Sequence, residues 1–339
     1  MIKVLILISL IVSCTKKQAP EALTIFGETM GTTYAIKYYP SDETASREEL
    51  AKEIDQVLNS VNLEMSTYID ESEIQKFNGL KSTDSWFKVS PGFHWVTKVA
   101  LALAQKTDGI YDPTVGPLVD LWGFGSKKSK TVPSESQIAL AKKNVGHQFV
   151  IADESEPMIR KTNPEVRLDL SSIAKGWGVD QVGRTLESNG INNYMVEIGG
   201  EVRTKGSKSD ESSWQIGISV PESEDMGAAQ KVVLLNNAAL ATSGDYRNYF
   251  ESNGMRYAHV IDPRSGAPAL SDIASVSVIE ETGDCTQADG LATALLAMGT
   301  QLAMQFATDN KMAVYLISHN KDGKFTEWMT PEFTKYIKK

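Results

Sequence analysis

Apolar residues recur at helical spacing in five stretches of the chain. In residues 47–66 they form one stripe, which predicts an amphipathic helix and consists of Leu50, Ile54, Val57, Leu58, Val61 and Met65. Residues 91–106 predict a second helix with proline in its first turn, where proline is tolerated. Residues 134–145 predict a shorter helix, residues 173–187 a fourth, and the run from Asp289 to about residue 309 a fifth.

Alternating apolar and polar residues, rich in β-branched and aromatic side chains, predict strands between these helices. They are residues 33–39 (TYAIKYY), the strand-like residues 166–170 (VRLDL), a hairpin of YMVEIGG and EVRTKG, and the segments WQIGISV, KVVLLN, RYAHVID, SVSVIE and AVYLISH. Strands and helices are mixed, without the regular alternation of a doubly wound sheet. The pattern therefore predicts an α+β fold with an antiparallel sheet.

The first fourteen residues, MIKVLILISLIVSC, differ from the rest of the chain. Their apolar run is too short for a permanent membrane span and ends at Ser13-Cys14, which is typical of a bacterial lipoprotein signal whose cysteine receives the lipid. A plain signal peptide containing a cysteine and a buried apolar strand are the alternatives. We expect residues 1–14 to be the signal, residues 15–23 a polar tether and residues 24–339 the folded domain.

Cysteine and charge content narrow the functional classes. If Cys14 carries lipid, Cys285 has no disulfide partner, and a small half-buried role is favoured for it over a nucleophilic one. The 339 residues have a formal charge of −9 and no block rich in Lys and Arg, which gives no reason to expect nucleic acid. An anionic ligand would have to be bound locally, by a metal ion or by helix N-termini.

Two segments combine turn-forming and polar residues, and each has a structural and a functional interpretation. Residues 109–125 (GIYDPTVGPLVDLWGFG) are either a loop that packs Trp122 and Phe124 into the core or part of a site. Residues 168–180 (LDLSSIAKGWGVD) pass from strand to helix through Ser-Ser, which either caps the helix or leaves amides for an anion.

Three isolated Asp and His residues likewise allow either a structural role or a role in a site. Asp289 stands before an apolar run with Thr293 one turn later, so it is either a helix cap or one of two oxygen ligands. His259 lies in a predicted strand, where a hydrogen-bonded histidine is the commoner role. Residues 243–245 predict a turn, and Asp262 in DPRSG fits a β-turn as well as a site. The motifs of dinucleotide-binding, P-loop and hydrolase sites are missing.

Eight of these segments, in order, resemble the ApbE family, flavin transferases that use FAD to place FMN on another protein. They are MGTTY, MSTYIDESEIQKFN, YDPTVGPLVDLWGFG, LDLSSIAKGWGVD, NYMVEIGGE, ALATSGDYRNYF, RYAHVIDPRSG and ADGLATALL, and they cover residues 24 to 318. The resemblance implies a compact, T-fold-like α+β structure with a mixed antiparallel sheet and packed helices around one FAD and a magnesium ion.

The resemblance also implies the site residues. It makes Asp289, Thr293 and the backbone carbonyl of Ala174 the magnesium ligands, in keeping with the preference of Mg²⁺ for a few protein oxygens. His259 is implied as the general base, with Asp262 as its orienting partner, or else as a phosphate contact. Residues implied to line the FAD pocket are Met30, Tyr68, Tyr111, Asp112, Thr114, Ser171, Lys175, Trp177 and Ile261.

The implied reaction is attack by a Thr or Ser hydroxyl of an acceptor protein on the FMN-side phosphorus of FAD, with release of AMP. An aromatic residue at Tyr68 favours transfer over hydrolysis, and Lys175 stands where some relatives carry an acid. A magnesium-dependent FAD pyrophosphatase and a non-catalytic flavin-binding lipoprotein are the alternatives. The implied acceptors are exported FMN-binding domains of Rnf- and Nqr-type complexes, reached by a lipoprotein on the periplasmic or outer side of a membrane whose identity stays open.

Overall fold

A computed structural model describes residues 21–41, 44–125, 131–219, 229–244, 249–252, 255–269, 272–320, 322 and 324–338. The predicted signal with Cys14, nearly all of the predicted tether, and Asp245 lie outside these residues. Among the described residues, no helix is long and apolar enough to cross a membrane.

The described residues form α-helices at the five predicted places and at three further ones. They are α1 (Arg47–Met65), α2 (Glu73–Gly79), α3 (Pro91–Lys106), α4 (Gly116–Leu121), α5 (Glu135–Lys142), α6 (Ala174–Ser188), α7 (Cys285–Met298), α8 (Thr300–Asp309) and α9 (Pro331–Thr334), with a short 3-10 turn at His147–Phe149. Serine residues cap α1, α3 and α5, and α1 has a full capping box between Ser46 and Glu49.

The strands alternate irregularly with these helices. They are β1 (Leu23–Thr29), β2 (Thr32–Tyr38), β3 (Phe87–Lys88), β4 (Val150–Ala152), β5 (Met158–Lys161), β6 (Tyr194–Ile198), β7 (Glu201–Lys205), β8 (Trp214–Ser219), β9 (Ala229–Leu235), β10 (Ala239–Gly244), β11 (Tyr249–Ser252), β12 (Met255–Ala258), β13 (Ile261–Asp262), β14 (Ala267–Pro268), β15 (Ile273–Glu280), β16 (Ala313–His319) and β17 (Phe325–Met329).

Eight strands form one sheet in the order β1-β2-β6-β7-β10-β15-β16-β17, and every neighbouring pair is antiparallel. The predicted α+β class with an antiparallel sheet, and the predicted hairpin of β6 and β7, are confirmed. Smaller sheets join β3-β5-β4, β8-β9, β11-β12 and β13-β14.

The sheet separates two apolar layers because successive side chains of a strand point to opposite faces. On one face α6 packs on β6 and β7, α7 packs on β10 and β15, and α1 packs over α6. Sheet residues on this face include Val196, Ile198, Ala241, Val276, Val278, Val314 and Leu316. The other face, with Leu240, Ala274, Tyr315 and Ile317, contacts Trp214 and its neighbours in the β8–β9 hairpin.

The predicted elements differ from the structure at four places. The fifth helix begins earlier, at Cys285, because Asp284 rather than Asp289 is its N-cap. Gly299, with φ of 74°, divides it into α7 and α8. Residues 166–170 are extended but form only one bridge, Val115 to Arg167, instead of a strand. The predicted 134–145 helix ends at Lys142.

Two further predictions, the strand that contained His259 and the turn at residues 243–245, differ from the structure. That strand is interrupted, and His259 lies in a bend between β12 and β13. Ser243 and Gly244, predicted as a turn, belong to β10 and pair with Val276 and Ser275.

Helices α6 and α7 meet at their N-terminal turns and cap each other. Asp180 of α6 accepts hydrogen bonds from the amides of Cys285 (3.1 Å) and Thr286 (2.9 Å) at the start of α7. In return, Asp289 of α7 accepts one from the amide of Gly176 in the first turn of α6 (2.9 Å). Asp289 therefore does act as a cap, but for the neighbouring helix and not for its own.

The residues before α6 are held by a second buried arrangement. The side-chain amide of Asn78 donates to the carbonyl of Leu168 (2.9 Å) and accepts from its amide (2.7 Å), as a neighbouring strand would. Lys161, only 1% exposed, donates to the carbonyls of Asn78 (3.1 Å) and Val166 (3.4 Å). These bonds fix the path of the chain that leads into α6.

Gly176→Ala is expected to destabilise the protein by about 1–3 kcal/mol, the usual cost of overpacking a core. A Cβ at this position would overlap the backbone of Cys285 and lie 2.8 Å from Cα of Thr286, so α6 and α7 would have to separate. The free energy of unfolding in urea measures the effect. Gly79→Ala, where a Cβ meets nothing within 4 Å, is the control. Equal stability of both variants would contradict the close-contact argument.

Lys161→Met is expected to change how stability depends on pH. Burial lowers the pKa of Lys161 from 10.5 to about 8. Between pH 8 and pH 10.5, roughly, the unfolded chain keeps a proton that the folded chain has released. The free energy of unfolding of the wild type therefore rises with pH in this window because of Lys161. The methionine variant should lack that rise in urea titrations over this window, whereas Lys52→Met, at an exposed lysine of α1, should keep it. Identical slopes for wild type and Lys161→Met would refute the assignment.

Candidate functional site

A lysine between two buried carboxylates lies where α6 and α7 cross. Nζ of Lys175 is 2.6 Å from Oε1 of Glu201 and 3.6 Å from Oδ1 of Asp289. The side chains of Glu201 and Asp289 are 1% and 2% exposed, and that of Lys175 is 30% exposed. The cluster therefore reaches solvent mainly through the lysine.

Burial and mutual charge shift the pKa values of all three groups. Burial, together with the charge of Asp289, raises the pKa of Glu201, against the opposing effect of Lys175. Burial also raises the pKa of Asp289, against the opposing effect of Lys175. For Lys175 burial lowers the pKa, but the two carboxylates outweigh it and the net shift is upward. Lys175 is thus a permanent cation at neutral pH.

The three predicted metal ligands come from the same crossing. Ala174 begins α6, two residues before the amide bound by Asp289. Thr293 follows Asp289 by one turn of α7, and its hydroxyl lies 3.3 Å from that of Ser243. Because carboxylate, hydroxyl and carbonyl oxygens are hard donors, this set fits Mg²⁺. Oδ1 of Asp289 has no closer partner than Lys175 among the contacts of the described residues.

No group of three or more His, Cys, Asp or Glu residues suited to a metal occurs among the described residues. A single carboxylate with neutral oxygens is the kind of partial ligand set that Mg²⁺ completes with phosphate and water. The crossing is therefore a candidate for a metal that is shared with a phosphate ligand.

The Tyr111–Thr114 turn is held by its own side chains. Oδ1 of Asp112 accepts from the amide (2.8 Å) and hydroxyl (2.6 Å) of Thr114, and Oδ2 accepts from the amide of His147 (2.8 Å). The Thr114 hydroxyl accepts from the amide of Gly146 (2.7 Å). Asp112 and Thr114 thus have a structural role, and their predicted cofactor contacts stay predictions.

The Ser-Ser segment connects this turn to α6 without capping the helix. The N-cap position is Ile173, so the Ser-Ser cap interpretation is wrong. Ser171 donates its amide (2.9 Å) and hydroxyl (2.6 Å) to Asp169, and the Ser172 hydroxyl donates to that of Tyr111 (3.1 Å). Tyr111 is therefore hydrogen-bonded to the segment directly before α6 that also contains Ser171, and both are predicted pocket residues.

Three other predicted pocket residues surround the first turns of α6 or the segment before it. The Met30 side chain lies over Gly178, where a Cβ would come within 2.8 Å of its methyl group. Trp177 stacks on Trp95 with ring centroids 4.8 Å apart. Tyr68 is 64% exposed, and burial together with the charge of Asp169 raises its pKa. An exposed aromatic ring beside this segment is free to contact a ligand.

A different part of the structure contains Ile261, Asp262 and His259. Ile261 is buried with Leu118 and Trp122, in a cluster separate from the α6–α7 crossing. Both carboxylate oxygens of Asp262 accept from Arg264, at 2.9 to 3.1 Å. Asp262 is thereby a turn residue, and its orienting role toward the half-buried His259 stays a prediction.

Sequence reasoning missed Glu201 and misjudged Cys285. Glu201 begins β7 directly after Gly199 and Gly200, both with positive φ, and this charged residue after a Gly-Gly turn is the only local signal. Cys285 is fully buried, not half-buried, and burial raises the pKa of its thiol well above the usual value. A nucleophilic role for Cys285 has no support from this environment.

Known proteins match nearly the entire chain. The family model described as ApbE family matches residues 30–316. A FAD:protein FMN transferase of Vibrio cholerae is 42% identical over 98% of both chains, and that of Haemophilus influenzae is 41% identical over 93% of this chain and 91% of its own.

The solved structure titled Flavin Transferase ApbE from Vibrio cholerae has a TM-score of 0.85 at 41% identity and covers 93% of this chain and 99% of its own. The Pseudomonas stutzeri flavinyl transferase ApbE in apo form has the same TM-score at 35% identity, over 93% of this chain and 96% of its own. The chain belongs to the ApbE family.

Proposed function

We propose that this chain transfers the FMN part of FAD to a Thr or Ser hydroxyl of an acceptor protein. The hydroxyl oxygen bonds to the FMN-side phosphorus, the bond from this phosphorus to the bridging oxygen breaks, and AMP leaves. The observation that carries the proposal is 41–42% identity, over more than nine-tenths of the chain, to proteins named FAD:protein FMN transferase.

The α6–α7 crossing supplies what a pyrophosphate needs. Both helices begin at this crossing, where Asp180 and Asp289 already bind some of their first amides. Lys175 adds a cation that is partly exposed to solvent. An anionic pyrophosphate is therefore stabilised by groups that are already in place, without a large rearrangement of the protein.

Asp289, Thr293 and the carbonyl of Ala174 would hold Mg²⁺ at the crossing. Bound there, the ion would neutralise charge on the pyrophosphate and on the departing phosphate. Asp289 is the only carboxylate of the three, and its other oxygen is bound to the amide of Gly176. That bond fixes the orientation of the carboxylate and should make this residue the most sensitive one in the metal site.

His259 is the proposed acceptor of the hydroxyl proton. It is half-buried in the bend between β12 and β13. A neutral imidazole can take a proton at physiological pH. The alternative role, contact with a phosphate, predicts lost FAD binding rather than lost proton transfer.

The proposed location is the outer side of a bacterial membrane, with lipid on Cys14 and residues 15–23 as the tether. The support is the sequence of residues 1–14, an apolar run that ends in a small residue and cysteine. Exported FMN-binding domains, such as those of Rnf- and Nqr-type complexes, are then the proposed acceptors.

The first test mixes the full chain, in mild detergent, with FAD, Mg²⁺ and an exported FMN-binding domain, and weighs that domain by mass spectrometry. A mass gain of one FMN, with equimolar AMP, is expected. Release of free FMN and AMP without a mass gain would point to a pyrophosphatase instead. FAD that stays intact with several acceptors would contradict both catalytic functions.

Asp289→Ala is expected to reduce FMN transfer at least a hundredfold and to weaken Mn²⁺ binding, because it removes the one carboxylate of the metal site. Transfer is followed by mass spectrometry and metal binding by electron paramagnetic resonance. Asp284→Ala removes the N-cap of the same helix, 5 positions earlier, and should cost about 1 kcal/mol of stability while transfer continues. Equal transfer by the two variants would refute the metal assignment.

His259→Gln is expected to lower transfer by about 10²–10⁴-fold while FAD affinity changes little, since general-base catalysis contributes that much. FAD affinity is measured by flavin fluorescence and transfer by mass spectrometry. His319→Gln, at the end of β16, is the control. A loss of FAD affinity that matches the loss of transfer would assign His259 to phosphate binding.

A further inference from the structure

The two carboxylates at the α6–α7 crossing share Lys175 unequally. The ammonium group is 2.6 Å from Glu201, a full ion-pair contact, but 3.6 Å from Asp289, beyond hydrogen-bond distance. Asp289 has its own partner on the other oxygen, the amide of Gly176. Glu201 and Lys175 therefore form the pair, and Oδ1 of Asp289 is left as a second, weaker neighbour of the lysine.

The unequal distances matter because Lys175 and a divalent ion would compete for the same oxygen, Oδ1 of Asp289. At a buried site a cation already in contact with Asp289 would have to be displaced before a metal could bind, and attraction between buried charges is strong. A lysine stem is flexible, so the ammonium group needs a fixed counter-charge to stay away from Asp289.

Glu201 is suited to be that counter-charge. It lies at the first position of β7, next to two glycines and within the large sheet, so its backbone is fixed. Its second oxygen, Oε2, is buried and has no hydrogen-bond partner among the described residues, so the charge of Glu201 is compensated mainly by Lys175. Nothing in the proposed reaction otherwise requires a carboxylate at this position.

We infer that Glu201 is a positioning residue that holds Lys175 and thereby keeps Oδ1 of Asp289 available to the metal ion. This inference rests on the proposed metal site at Asp289. It assigns Glu201 a function in setting metal affinity, not in contacting FAD or the acceptor. Without Glu201, the lysine should close onto Asp289 and compete with the metal.

The test measures Mn²⁺ affinity of the full chain by electron paramagnetic resonance, without FAD. Glu201→Gln should weaken Mn²⁺ binding about tenfold, within the range of coupling between contacting residues. Lys175→Met should bind Mn²⁺ at least as tightly as wild type. In the Lys175→Met background, adding Glu201→Gln should change the affinity less than twofold, because the competing cation is gone.

Glu187→Gln is the matched control. Glu187 is also a carboxylate paired with cations, Arg203 at 3.0 Å and Lys205 at 3.3 Å, but it lies at the opposite end of α6. Its substitution removes one negative charge, as Glu201→Gln does, but far from the crossing, and should leave Mn²⁺ affinity unchanged. Thermal melting of every variant shows whether the fold is retained. If Glu201→Gln does not fold, Glu201→Asp, which shortens the reach to Lys175, should lower the affinity several-fold.

Three results would overturn the inference. Wild-type affinity in a folded Glu201→Gln or Glu201→Asp variant would show that Lys175 needs no such partner. An equal loss with and without Lys175 would show that Glu201 attracts the metal directly. If wild type and Asp289→Ala bind Mn²⁺ equally weakly, the metal assignment itself fails and the inference fails with it.

Discussion

The reciprocal capping of α6 and α7 is the interaction on which the site depends. Asp180 binds the first amides of α7, and Asp289 binds an amide in the first turn of α6, so each helix satisfies donors that the other leaves unpaired. Glycine at position 176 permits the close approach. The same contact places Lys175, Asp289 and the start of α6 side by side.

The cost of this arrangement is buried charge. Folding removes from water two carboxylates and a lysine at the crossing. It also buries the neighbouring ion pair of Asp180 and Arg203, whose charged atoms are 3.1 Å apart. Well-packed apolar residues would stabilise the crossing as well or better. The presence of these charged residues is better explained by binding of an anionic ligand and a metal ion, which would interact with the charges in place of water.

Elements with a strong local pattern could be predicted from the sequence. The stripe of α1, the proline start of α3 and the strands β2, β15 and β16 depend on neighbours within a few positions, and the structure retains them. Asp289 shows the limit of such reasoning. An aspartate before an apolar run is typical of a cap, but Cys285 to Ala288 are themselves helical, and the amide that Asp289 binds is far away in the sequence.

The site could be predicted only where a family motif named its residues. Asp289, Thr293 and Ala174 came from the resemblance, and the structure places them at one crossing. The pairing of Glu201 with Lys175 joins β7 to α6, and no local spacing predicts which carboxylate approaches which lysine. The bend at His259 was missed because the residues around it have a strong preference for strand.

The most direct measurement is anomalous diffraction at the manganese edge from crystals of this protein grown with FAD and Mn²⁺. The proposed metal site predicts one strong peak at about 2.0–2.3 Å from Oδ1 of Asp289, in contact with Thr293, the carbonyl of Ala174 and the FAD pyrophosphate. A peak elsewhere, or bound FAD with Lys175 paired to Asp289 and no metal at the crossing, would contradict it.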